Sequence, residues 1–300
     1  MKRSFRFKAF DALLIALAVL PILAGIVLRV LTKPASEGIA IGGALVLLRF
    51  ELPIQELLIT EATVNSLLVL VSLSALAAFM THGMNAGLKL RRHLIAEWIV
   101  ERTDALVRGN MGEYFKQFSP FICAILGYSA FSSLTSLVGL FPPTSDFSTV
   151  FGWALLVFVL ITYYKLKGGV GNYLKGYFEP IPFFAPLNVI GEIATPISMS
   201  FRHYGNILSG SVISALIASA LGGLTRTLLG SLPGVLSEIP LLQVGLPAVL
   251  SIYFDVFSGC LQAFIFAMLT MLNISGGFPK ELYEKRMEKK ALRRSNKTAA

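Results

Sequence analysis

The stretch Pro196-Ile-Ser-Met-Ser-Phe-Arg202-His-Tyr-Gly205-Asn206-Ile-Leu-Ser-Gly210 lies within an apolar run from about Ile181 to Ser231. Its single guanidinium decides how the chain is read. Apart from His203, no Asp, Glu, Lys, Arg or His separates Arg202 from Glu192 on one side and Arg226 on the other. Arginine stays protonated in proteins, and at the centre of a bilayer it costs roughly 2.5–3.5 kcal/mol on insertion scales. A residue this expensive is retained for a partner or for ion movement.

The composition agrees with a bilayer setting. Of 300 residues, 55% are hydrophobic and 14% charged, whereas a soluble domain carries about 25% charged residues. The net charge of +9 is unevenly spread, with basic clusters at 2–8, 89–92, 165–175 and 280–297. Basic clusters that flank apolar segments follow the positive-inside pattern, so nucleic acid is not expected as a partner and membrane lipid is. Cys123 and Cys260 sit in apolar runs, without metal-ligand or disulfide spacing.

Working outward from the central run, residues 10–30 predict an uncleaved spanning helix behind a basic start. At about 20 residues the segment is longer than the 7–15 of a signal-peptide core. Residues 33–60, with Pro34, Glu37, Glu51 and Glu56, read as an external connection. Further spans are predicted at 62–80, 120–140 and 150–164. Residues 88–107 alternate Leu90, Leu94 and Trp98 with Arg91, Arg92, Glu101 and Arg102, the pattern of a helix lying on the inner membrane face. The runs 181–231 and 241–274 exceed the roughly 20 residues of a perpendicular span and suggest a hairpin of steeply tilted helices joined near Gly234.

The expected fold class is therefore all-α and polytopic: four upright transmembrane helices, an interfacial amphipathic helix and a long tilted membrane hairpin. The divisions are 1–60 (extra N-terminal helix and external connection), 61–180 (upright helices), 181–275 (hairpin) and 276–300 (basic tail). Both termini are expected in the cytoplasm.

Helical neighbours on one face lie three or four residues apart. Arg202 shares such a stripe with Thr195, Ser198, Asn206 and Ser209. Gln262 shares another with Ser258, Asp255 and Ser251. Polar groups in hydrocarbon must be paired or hydrated. One reading has the stripes bonding helices together; it explains the hydroxyls but not Arg202 or Asp255. The other is an ion path. Gly205 and Gly210 permit either close packing or room for a passing partner. A secondary transporter with a midplane arginine is the alternative from another class, but it should show an internal repeat, and none is visible. An intramembrane enzyme would need clustered acids or histidines; His82, His93 and His203 are scattered, and no nucleotide-binding glycine loop is present.

The segment Pro196–Gly210 resembles the signature of subunit a of F-type ATP synthases, a Ser-Leu-x-Leu-Arg-Leu-Phe-Gly-Asn-x-x-Ala-Gly run with an essential arginine. Leu261-Gln262-Ala263-Phe264-Ile265-Phe266 is similar to the second signature, and Pro143-Thr-Ser-Asp146 and Leu94-Ile-Ala-Glu97 to weaker landmarks. The resemblance implies a hairpin that curves around a rotating c-subunit ring, with the b-subunit peripheral stalk and the remaining synthase subunits as further partners. It also implies a bacterial plasma-membrane location, no cofactor and no catalysis by this chain itself. Arg202 matches the arginine that faces the ring carboxylate; Asn206 and Gln262 match polar residues beside it. Ser211 stands where the family has an acid or histidine, and Asp255 where histidine or glutamate is common. The ion path is thus expected to use Arg202, Asn206, Gln262, Asp255, Ser198, Ser258, Ser251 and Ser211. His203 replaces a leucine and, about 100° round the helix from Arg202, is expected to face another helix.

Overall fold

A computed structural model of the chain describes residues 2–32, 43–51, 53, 56–84, 90–179, 181–229, 245–246, 249–250, 252–281, 283–285 and 288. Helices dominate, because a segment in hydrocarbon must satisfy its backbone N–H and C=O groups internally. The elements are α1 (Lys2–Thr32), β1 (Val46–Phe50), β2 (Leu57–Thr60), α2 (Glu61–Thr81), α3 (Arg91–Met111), α4 (Ser119–Leu134), α5 (Phe147–Leu166), α6 (Val170–Tyr177), α7 (Ala185–Leu229), a π-helical turn (Ile252–Ser258) and α8 (Gly259–Gly276). Among the described residues, six stretches are long and apolar enough to cross a membrane: Lys8–Thr32, Glu61–Thr81, Glu113–Val138, Phe147–Leu166, Pro182–Thr225 and Ile252–Gly276. The molecule is an all-α polytopic membrane protein. The Gly234 connection and the tail beyond residue 288 lie outside the described residues.

Local chemistry sets the element ends. Thr60 caps α2, its hydroxyl accepting from the Thr63 amide at 3.3 Å. Pro120 opens α4, where the missing N–H costs nothing. The 3-10 extension of α4 stops at Gly139, whose φ of 78° lies in the left-handed region. The expected irregular connection before α2 contains a short antiparallel hairpin, β1 paired with β2 with Phe50 opposite Leu57. Two short apolar runs around Pro53 carried that signal.

One end of the bundle gathers the start of α1, the end of α2 and the start of α3. Here Asp11 binds His82 at 2.7 Å and Arg92 at 3.0 Å, and the Arg92 guanidinium lies 4.4 Å from the Phe79 ring centre. We call this the basic end. At the opposite, hairpin end, Arg29 stands 3.4 Å from Glu61. The N-terminal helix is thus fastened to α2 at both ends.

The interior divides along the same axis. Toward the basic end it is apolar and aromatic: Met111, Phe115, Ile122, Phe266, Met271 and Phe278 pack as one cluster. Toward the hairpin end it is rich in small polar groups: Asn65, Ser129, Ser132, Ser133 and Thr144 are buried. α4 and α8 meet closely there, since a Cβ on Gly259 would fall 2.6 Å from the Ser133 Cβ.

α7 positions the central arginine. Its 45 residues at 1.5 Å each make about 67 Å, more than twice the ~30 Å of hydrocarbon. It packs against α5, α8 and the π turn. Gly210 is required at that crossing, because a Cβ there would lie 2.8 Å from the Phe254 ring.

Candidate functional site

Arg202 is exposed on α7, with Ser198 one turn before it and Asn206 one turn after, both exposed as well. None of the three makes a side-chain hydrogen bond or ion pair among the described residues. Their surroundings are apolar, with Ile197, Phe201 and Leu208 exposed on the same helix. The hydroxyls of the stripe bond their own helix: Thr195 donates to the Gly191 carbonyl at 3.0 Å, Ser209 to Gly205 at 2.7 Å, and Ser211 to Leu208 at 2.8 Å. Such back-bonding satisfies a hydroxyl without tying helices together. Among the described residues the helix-gluing reading of this stripe therefore lacks its bonds. The two glycines separate as well: Gly210 serves close packing, whereas a Cβ on Gly205 would meet nothing within 4 Å.

The second stripe is split. Asp255 and Ser258 lie in the π-helical turn and are half-buried, while Gln262 on α8 is buried, with 5% of its surface exposed. A π turn bonds i→i+5 and takes more residues per revolution than an α-helix, so α-helical counting from Asp255 to Gln262 overshoots the true rotation. The side chains reach different surroundings: Gln262 faces the interior beside α4. Ser251 lies outside the described residues.

His203, about 100° round α7 from Arg202, turns into the bundle and faces another helix, as expected. It is 1% exposed, with its Nε2 3.4 Å from the Ser129 hydroxyl, the Gln262 main chain alongside, and the Trp153 and Phe266 rings edge-on at 6.1 and 5.7 Å.

A cluster that sequence reasoning missed sits toward the basic end of the same helix. Glu192 receives Lys165 at 3.0 Å and the Tyr173 hydroxyl at 3.1 Å, and the Tyr177 hydroxyl also bonds it. Burial, reinforced by the carboxylate, pushes the Tyr177 hydroxyl far above its ordinary range, so it stays a donor. A cavity of about 510 Å³ opens here, lined by Glu192, Tyr173, Tyr177, Asn188, Thr195 and neighbouring glycines. A second, of about 280 Å³, shares Lys165, Glu192 and Thr195 and extends to Asn273. Thr195 is seven residues before Arg202, on the same face and about 10 Å along the axis. The only signal in the sequence was Glu192 as the nearest charge; its partners come from α5 and α6.

Taken together, the fold and site define a polytopic helical membrane protein that presents an arginine on the outer surface of an overlong helix. The family profile described as "ATP synthase A chain" matches residues 63–275. The chain belongs to this family, the a subunits of ATP synthase. It is 31% identical over 220 residues to "ATP synthase subunit a 1" of Crocosphaera subtropica, covering 71% of this chain and 85% of that protein. It is 36% identical over 158 residues to "ATP synthase subunit a" of Desulforamulus reducens, covering 52% and 55%. A third relative, "ATP synthase subunit a, sodium ion specific" of Propionigenium modestum, is 36% identical over 154 residues, covering 51% and 46%. The chain spans about half the length of the latter two.

Proposed function

We propose that this chain is the ion-conducting stator subunit of the synthase membrane sector, non-catalytic itself, and that Arg202 works against a carboxylate presented by a rotating c ring. One observation carries the reading: Arg202 stands exposed among apolar side chains, with no side-chain partner among the described residues. In hydrocarbon such a cation needs an acid from elsewhere.

A ring carboxylate facing lipid stays neutral because burial raises its pKa, and a nearby guanidinium lowers it by about 1–3 units. Arg202 thus discharges each arriving site, and its fixed charge blocks a direct leak of ions past it. Each unit charge crossing 100 mV supplies roughly 2.3 kcal/mol. Two offset access routes complete the cycle. The cavity at Glu192, leading through Thr195 and Ser198 toward Arg202 and Asn206, serves the cytoplasmic side. Asp255, with Ser251, Ser258 and Gln262, serves the outer side, and Ser211 lines the ring-facing surface. The positive-inside pattern puts the basic end and both termini in the cytoplasm of a bacterial plasma membrane, with α7 steeply inclined to fit its length. The b-subunit stalk and remaining synthase subunits complete the complex.

The test is Arg202→Ala in the assembled complex. Coupled ATP synthesis is expected to vanish while the subunit remains in the purified complex; retained synthesis refutes the assignment.

A further inference from the structure

The end of α5 carries two lysines that turn to different sides. Lys165 reaches α7, where it binds Glu192 at 3.0 Å. Lys167, two residues on, enters a cage of four tyrosines. Its Nζ lies 5.5 Å from the Tyr114 ring centre, 5.2 Å from Tyr163, 4.4 Å from Tyr164 and 5.7 Å from Tyr283. All four fall within the roughly 6 Å reach of a cation–π contact, and the ammonium also donates to the Tyr114 hydroxyl at 3.3 Å. The rings come from three places: Tyr163 and Tyr164 from α5, Tyr114 from the 3-10 turn Glu113–Phe118, and Tyr283 from beyond α8. Tyrosines are common at a membrane surface, but a belt of that kind needs no single cation at its centre.

The cage is tied to the Glu192 cavity. The Tyr283 amide donates to the Pro279 carbonyl at 3.0 Å, and Phe278 stacks on Tyr114 at 4.5 Å. Pro279, Gly276 and Gly277 form the cavity wall supplied by the end of α8. Behind that wall the fit is close: a Cβ on Gly168 would fall 2.4 Å from the Pro279 ring, and one on Gly277 3.2 Å from the Lys165 chain. Elsewhere the walls are open. A Cβ on Gly176, Gly191 or Gly276, from α6, α7 and α8, would meet nothing within 4 Å among the described residues. At about 510 Å³ the cavity holds on the order of ten waters. Packed interiors leave few gaps larger than one water, so a space of this size needs its walls held apart.

We propose that Lys167 is a positioning residue for the cytoplasmic access: its tyrosine cage clasps the segment after α8 and holds the 276–279 wall of the Glu192 cavity in its open position. This rests on the stator reading, which makes that cavity the route toward Arg202. The lysine acts without touching the ion. Its charge draws Tyr283 against α5, Tyr283 carries Pro279, and Pro279 rests on Gly168. Lys165 depends on the same wall, because its chain packs on Gly277 while its Nζ meets Glu192. With the clasp undone, the wall settles into the void and narrows the path. Arginine keeps the cation and stacks on aromatic faces, so it clasps as lysine does. Methionine keeps most of the length and loses the charge.

The test uses inverted membrane vesicles bearing the complete complex, with Gly191→Cys as a reporter in the cavity and Cys123 and Cys260 replaced by serine. Two quantities are measured: the rate at which a membrane-impermeant thiol reagent labels the reporter from the cytoplasmic side, and passive proton conduction after removal of the catalytic sector. Lys167→Met is expected to slow labelling and lower conduction, each by about threefold or more, with normal amounts of subunit in the purified complex. Lys167→Arg is expected to keep both near wild type. A lysine that merely stabilised the fold would change the amount of complex and not the labelling rate per complex. Labelling or conduction in Lys167→Met that matches or exceeds wild type overturns the proposal, and so does an Arg variant as impaired as the Met one. Should Lys167→Met fail to assemble, Tyr283→Leu removes one ring of the cage: slower labelling supports the clasp, and an unchanged or faster rate overturns it. Labelling reports the wall whether or not ions pass, so failure of the stator reading stays distinguishable and appears as retained synthesis in Arg202→Ala.

Discussion

Arg202 and His203 are consecutive residues, both able to carry positive charge, and they face opposite worlds. The first projects from α7 with no partner among the described residues; the second is sealed against α4, α5 and α8. The same contrast runs along the helix. On the outer face Ser198, Asn206 and Gly205 are open, while the inner face holds Met199, Ser200 and Gly210 in contact with the bundle. On the inner face His203 meets Ser129 of α4. On the outer face the Ser209 hydroxyl bonds its own helix, while Arg202 and Asn206 have no side-chain partner among the described residues. Exposure of a costly group therefore points to a partner, and burial points to the subunit's own internal chemistry.

The comparison breaks most severely if Arg202→Ala leaves coupled synthesis intact, since complete loss is expected and ATP production in vesicles measures it. Next in size is Asp255→Asn, expected to slow passive ion flux by roughly tenfold, a barrier increase of about 1.4 kcal/mol; unchanged flux removes Asp255 from the route. The glycines sharpen the contrast between the faces. Gly259→Leu forces a side chain into Ser133 and should cost about 1–3 kcal/mol, read as a lower unfolding temperature of the purified complex. At Gly205 an added Cβ meets nothing within 4 Å among the described residues, so Gly205→Leu finds open space where Gly259→Leu finds Ser133. It should leave that temperature unchanged yet reduce synthesis, if a partner surface passes there. The smallest effect is expected for Glu192→Gln, which weakens the anchor for Lys165, Tyr173 and Tyr177. A drop in flux of about fivefold, close to 1 kcal/mol, would place the cavity on the path, and wild-type flux would leave it a structural cluster.

Much of the site was legible early because the signals were local. Arg202 declared itself by cost, and the 100° step to His203 followed from helix geometry. The π turn at Ile252–Ser258 was not legible: backbone bonding that shifts from i→i+4 to i→i+5 leaves no periodic mark in side-chain type. The Glu192 cluster was also hidden, since Lys165, Tyr173 and Tyr177 approach it only after α5 and α6 fold back onto α7. Likewise Ser129 meets His203 only because α4 packs beside α7, across 74 positions of sequence.

By itself, the chain's order of residues determined the spans, the length of α7, the isolation of Arg202 and, through Pro196–Gly210 and Leu261–Phe266, the family. Hydropathy and helical period are properties of one segment and survive any arrangement of neighbours. Only the packed bundle decided which polar groups met: Gln262 turned inward, Gly210 under Phe254, Glu192 in a cavity, His203 against Ser129. Such pairings join residues up to 74 positions apart, and they depend on the depth and rotation at which separate helices pack, which no single helix encodes.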